Sequence, residues 1–141
     1  MKKFAILGLL LCAILFTGCD ETRKVLATAG NVQLNGSYII TDLGTQTTNN
    51  NELTVIFSAL DTSVRGNAGC NTYFGDYDVD VYTLNFGAIG STKKACEPKV
   101  MATENKLFKA LEETGSYTLE NNVLTLLSKN DRSVLLKARK N

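Results

Sequence analysis

For most of its length this chain carries an apolar residue at every second position, and in one stretch the period changes. Leu53, Val55, Phe57 and Ala59 alternate with Thr54, Ile56 and Ser58. Tyr77, Val79 and Val81 alternate with Asp78 and Asp80. Successive side chains on a strand point to opposite faces, so a period of two predicts half-buried strands. Tyr38–Leu43, Ser63–Asn67, Ser116–Glu120, Val123–Ser128 and Ser133–Ala138 extend the set. Leu84 and Phe86 continue on a shifted register, which predicts a bulge or turn near Tyr82-Thr83. Asn121-Asn122 suits a two-residue hairpin turn, because asparagine tolerates positive φ. The polar run Thr45–Asn51 reads as a loop.

The change of period falls between Pro98 and Gly115. Pro98 fits the first turn of a helix, where its missing N–H costs nothing, and Gly115 is placed to end it. Val100, Leu107, Phe108 and Leu111 recur at helical spacing and lie within about 100° of arc. Glu104 falls near the middle of that arc and breaks the apolar pattern. Lys106, Lys109 and Glu113 lie elsewhere and can be solvated. Together these elements predict an α+β domain. Its expected form is a mostly antiparallel β-sheet of about 7–8 short strands wrapped around one amphipathic helix at about 98–113.

The start of the chain has another character. Lys2 and Lys3 precede thirteen apolar residues, Phe4 to Phe16, and Thr17-Gly18 leads into Cys19. The run is too short to span a bilayer and has the layout of a secretory signal peptide. Small residues directly before a cysteine resemble the lipobox of bacterial lipoproteins. The expected organisation is a signal peptide at 1–18, a lipid anchor and flexible tether at 19–33, and a single domain at 34–141. The resemblance implies attachment of Cys19 to a membrane of the bacterial cell envelope. It leaves open inner membrane, outer membrane or cell surface.

The full chain has 15 basic and 14 acidic residues. Lys2 and Lys3 leave with the signal, so the mature balance is 13 to 14, net −1. Such a balance gives no electrostatic footprint for nucleic acid and no polybasic patch for anionic lipid. Of the four cysteines, Cys12 lies in the signal and Cys19 is the lipidation site. Cys70 and Cys96 remain, and in an oxidising compartment an even pair defaults to a disulfide. Closing that loop contributes roughly 3.5 kcal/mol on a chain-entropy estimate. The rival reading, two thiols on a metal, would need carboxylates, since the chain has no histidine and no Cys-x-x-Cys.

Three segments read together: Gly66-Asn67-Ala68-Gly69-Cys70-Asn71-Thr72-Tyr73-Phe74-Gly75, then Ser91-Thr92-Lys93-Lys94-Ala95-Cys96, then Pro98–Leu111 with Glu104. This Gly-Cys-Asn turn, Ser-Thr-x-x-x-Cys segment and Glu-bearing helix resemble the META domain, the HslJ-like family of bacterial envelope proteins. The strands around Tyr117, Leu124 and Leu126 resemble that family's ending. The resemblance covers about residues 34–139. It implies antiparallel sheet with a helix and a small envelope protein, often a lipoprotein, linked to stress, drug tolerance or secretion. It implies no reaction.

Each element has a plain and a sharper reading. Gly66, Gly69 and Gly75 permit positive φ at turns. A phosphate cradle would want a helix to follow, and strand-like sequence follows instead. Asn71 bonds its own turn or presents its amide to a ligand. Lys93 and Lys94 are a solvated rim or flank a groove for an acidic partner. Glu104, facing a core, must be paired, because a bare buried carboxylate costs several kcal/mol. Its partner is the backbone of the Gly-Cys-Asn turn, or Arg65, unless it is a binding or catalytic acid in a pocket. The candidate polar site is therefore Asn71, Tyr73, Thr92, Lys93 and Glu104.

Without histidine, His-based triads and general bases are excluded, and no Gly-x-Ser-x-Gly or metal signature occurs. The expected function is a membrane-anchored, non-catalytic binding or accessory protein in envelope stress or drug tolerance. It takes a protein, peptide or lipid ligand as a monomeric domain, with no cofactor, metal or nucleic acid. The alternative is a carboxylate-based hydrolase acting on an envelope substrate, pairing Glu104 with Asp76 or Asp78. A thiol enzyme at Cys70 would require that cysteine to be free.

Overall fold

The computed structural model describes residues 28–48 and 52–141. The expected signal peptide, Cys19 and most of the expected tether lie outside the described residues. The first described element, α1 (residues 28–34), is helical, with Gly30 and Leu34 buried. The folded unit thus begins several residues before the expected boundary at 33/34. Ten strands and a second helix follow. They are β1 (Gly36–Leu43), β2 (Gln46–Thr47), β3 (Thr54–Ser58), β4 (Ser63–Asn67), β5 (Thr72–Asp80), β6 (Thr83–Phe86) and β7 (Gly90–Ser91). After these come α2 (Pro98–Glu113), β8 (Thr114–Glu120), β9 (Val123–Ser128) and β10 (Val134–Lys140).

All the pairings are antiparallel, and the sheet closes on itself. Its order runs β10-β9-β8-β6-β5-β4-β3-β1, and β1 pairs back with β10 through registers such as Ile39 with Arg139. The short β2 and β7 add to β1 and β5 outside this ring. Among the described residues the result is an eight-stranded barrel with two helices, which corrects the expectation of a sheet wrapped around one helix. The physical reason is volume. An eight-stranded barrel is just wide enough for side chains to fill. Tyr38, Phe57, Tyr73, Leu84, Leu124, Leu126 and Leu136 fill it, each at most 1% exposed. Tyr38 and Tyr77 both meet the Phe57 ring edge-on, with centroids 6.0 and 5.1 Å away. A helix about 10 Å across has no room inside.

The helices instead stopper the two ends. At the lower pole, α1 sets Gly30 against Val79 and Tyr117. The Tyr38 hydroxyl donates to the Leu34 carbonyl at 2.9 Å, and the Ala59 amide donates to Asn35 Oδ1 at 3.0 Å. At the upper pole, α2 touches β1, β6, β9 and β10 and buries Glu104, Leu107, Ala110 and Leu111. Phe108 meets the Tyr73 ring at 5.9 Å. Pro98 sits in the first turn as expected.

Two expectations about glycine change. Gly69 does adopt positive φ, at 101°. Gly66 and Gly75 lie inside strands, where space decides. A Cβ on Gly66 would stand 2.0 Å from the Thr54 carbonyl oxygen and 2.7 Å from the Tyr73 hydroxyl. Gly115 does not end α2, which stops at Glu113. It lies in β8, where a Cβ would come 2.5 Å from Lys129 Cβ. Asn121 and Asn122 take the expected left-handed turn, at φ 51° and 64°. Near Tyr82 the chain makes a two-residue hairpin turn, with Asp80 paired to Thr83.

Candidate functional site

The site begins with the turn between β4 and β5. Asn67 Oδ1 accepts from the Gly69 amide at 2.7 Å, and the Ala68 amide donates to the Asn71 carbonyl at 2.8 Å. This is an Asx turn, and it aims Asn71 inward, 1% exposed. Asn67 was not singled out from the sequence, although the Asn-x-Gly spacing is its signal.

Asn71 then ties three segments together. Its Oδ1 accepts from Thr92 Oγ1 at 2.7 Å and from the Lys94 amide at 2.8 Å. Its Nδ2 donates to the Lys94 carbonyl at 3.3 Å and to Glu104 Oε1 at 2.9 Å. Its backbone amide donates to Glu104 Oε2 at 2.9 Å. An asparagine amide offers two donors and two acceptor positions, and all four are used. Glu104 comes from the buried face of α2 and is 4% exposed, with each carboxylate oxygen on a donor from the turn. Arg65, the other partner considered, points outward from β4. Cys70 and Cys96 are bonded, with Cα atoms 6.0 Å apart, and fasten the same turn to the segment that leads into α2, two residues before Pro98.

A cleft of about 690 Å³ opens beside this knot, between the Phe86–Ala95 segment and α2. Asn71 and Glu104 contribute to its lining, Ile89, Met101 and Phe108 are apolar parts of its wall, and the exposed Lys93 and Lys94 stand at its rim. The apolar wall was not read from the sequence, because Ile89 lies in a connection without periodicity. Tyr73 is not in the cleft. It is 1% exposed in the barrel, its hydroxyl donates to the Thr54 carbonyl at 2.9 Å, and burial pushes that hydroxyl well above the ordinary tyrosine range. A second groove of about 650 Å³ runs between Leu43, Leu53 and Gly69 and the Lys99–Thr103 turns of α2.

Asp76 and Asp78 lie exposed on β5, alternating with the buried Tyr77 and Val79, and neither lines the cleft. Glu112 does, but at eight residues from Glu104 the helical rise alone separates them by about 12 Å. Among the described residues no group of three or more Cys, Asp or Glu side chains gathers to hold a metal ion.

A closed eight-stranded barrel, stoppered at its upper pole by a helix pinned through a buried Asn–Glu pair and a neighbouring disulfide, defines the class of domain. The chain belongs to the META domain family, whose profile matches residues 31–141. A solved protein from Burkholderia xenovorans is similar in fold, with a TM-score of 0.64 at 20% identity, covering 81% of this chain and 88% of that one. A DUF4847 family protein from Bacteroides vulgatus is also similar, with a TM-score of 0.59 at 16% identity, covering 80% and 97%. No curated protein sequence gave a significant match.

Proposed function

We propose that this chain is an envelope lipoprotein anchored through Cys19, whose META domain is a non-catalytic binding or accessory module. Its ligand, a protein segment, peptide or lipid with an apolar part and an acidic group, lies in the cleft beside α2. The biological setting is envelope stress or drug tolerance, as the family resemblance implies.

The observation that carries this reading is the saturation of Glu104. A general acid or base must reach a substrate proton, and both oxygens of this buried carboxylate are already held by Asn71. The adjoining wall offers Ile89, Met101 and Phe108 to an apolar ligand, and Lys93 and Lys94 offer positive charge at the rim. Apolar lining with a few placed polar groups is the usual composition of a binding cleft.

Two experiments test it. Metabolic labelling with a palmitate analogue should mark the wild-type chain and not Cys19→Ala. A photo-crosslinker at Lys93, activated in intact membranes, should capture a defined partner that Lys94→Glu releases. The reading fails if Glu104→Gln keeps full stability and abolishes hydrolysis of an envelope substrate by the purified chain.

A further inference from the structure

Six large apolar side chains are exposed among the described residues, and four of them, Val32, Leu60, Val81 and Tyr82, gather at the lower pole. The topology puts them there. Strand direction alternates around the barrel, so the β3–β4 turn, the β5–β6 turn and the start of β1 share one end. Leu60 is in the first turn, Val81 and Tyr82 form the second, and Val32 is on α1. Hydrogen bonds join these parts, from the Ala59 amide to Asn35 and from the Tyr77 amide to the Thr62 carbonyl. Leu60 is 97% exposed and Tyr82 77%. Scattered exposed apolar residues need no explanation, but a group at one end does.

Turn chemistry sharpens the point. Val81 sits at φ 46°, a left-handed conformation that a β-branched residue disfavours. The β8–β9 turn, at the same pole, meets the same demand with Asn121-Asn122. At Val81 the chain keeps an apolar tip where an asparagine or glycine would fit the backbone better.

The chain itself says what this pole faces. Only residues 20–27 lie between Cys19 and the first described residue of α1, and eight residues reach at most about 30 Å. We infer that the lower pole is a membrane-docking surface, with Leu60, Val81, Tyr82 and Val32 seated in the headgroup layer of the bilayer that holds the anchor. This rests on the proposed lipidation of Cys19. Asp61, Asp80 and Glu120 share this pole with Arg139 and Lys140, so its charges are mixed and the contact does not require anionic lipid. Tyrosine, with an apolar ring and a polar tip, suits that depth. Docked this way, the upper pole, with α2 and its cleft, points away from the membrane.

The test uses the full mature lipoprotein reconstituted in phosphatidylcholine vesicles that carry brominated acyl chains. A single fluorophore is attached through Leu60→Cys, Tyr82→Cys or, as the control at the upper pole, Val134→Cys. With Cys70 and Cys96 bonded and Cys19 acylated, the introduced thiol is the one that reacts. Fluorescence at positions 60 and 82 should shift to the blue and be quenched by lipid bromine, and position 134 should show neither change. If all three stay unquenched while the protein floats with the vesicles, the anchor stands and the docking is overturned. If the protein does not float with the vesicles, the anchor reading is overturned, and the docking with it.

Discussion

Asn71 gives both its backbone amide and its side-chain amide to the carboxylate of Glu104, each at 2.9 Å. Two residues 33 positions apart thereby fix the upper helix to the turn that opens β5. Replacing Glu104 with glutamine turns one acceptor into a donor that faces an N–H. A buried donor left unmatched costs about 1–3 kcal/mol, and more where a charged group was involved. Glu104→Gln and Asn71→Ala should each destabilise the domain by about 2–4 kcal/mol in urea titration. The double variant should cost less than the sum, because the partners share one network.

Reducing the Cys70–Cys96 bond, or replacing both cysteines with alanine, should cost about 3–4 kcal/mol, since the loop it closes spans 26 residues. The barrel itself needs no part of that bond. Amide exchange should therefore quicken first at Lys94, whose N–H is held by Asn71 Oδ1, and stay slow in β9 and β10.

Gly66→Ala and Gly44→Ala should separate crowding from backbone strain. A Cβ at Gly66 collides with the Thr54 carbonyl and the Tyr73 hydroxyl, so about 3 kcal/mol or more should be lost. Gly44 has φ 63° with open space around it, so its alanine should cost only about 1 kcal/mol. Thermal melts of the two variants check the order.

Alkaline pH should unfold the domain through its buried tyrosines. Burial, with help from Tyr117 and Tyr77, pushes the Tyr38 hydroxyl up from 10.0 to about 12, and burial also raises Tyr73, Tyr77 and Tyr117. The folded state favours the neutral hydroxyl, so this contribution is complete below pH 10 and is lost as pH rises from there through 12. Tyrosinate absorbance from these four should grow together with loss of structure, not ahead of it.

The strands and α2 were legible because alternation and helical spacing are local properties of the chain. Val55 and Phe57 point inward, and the Pro98 start is where its chemistry puts it. Barrel closure was not legible, because it depends on Ile39 meeting Arg139 across a hundred residues, and nothing in either strand names the other. The demand on Glu104 for a partner could be read from its place on an apolar arc. Its particular partner needed the family pattern and the fold. The error over Gly66 has the same origin: a glycine required by a neighbour's ring looks, in sequence, like one required by a turn. Tyr73 looked like a site residue through its place two positions after Asn71, yet its ring lies inside the barrel with its hydroxyl on the Thr54 carbonyl.

The closing seam joins the first strand of the barrel to the last. During synthesis β1 waits for Val134–Lys140, so no partly made chain can shut the ring. A molecule clipped before Val134 would present bare backbone on both β1 and β9, two edges that invite pairing with other chains. The final seven-residue strand thus acts as the latch against self-association, and proteolysis there should convert a closed barrel into an adhesive one.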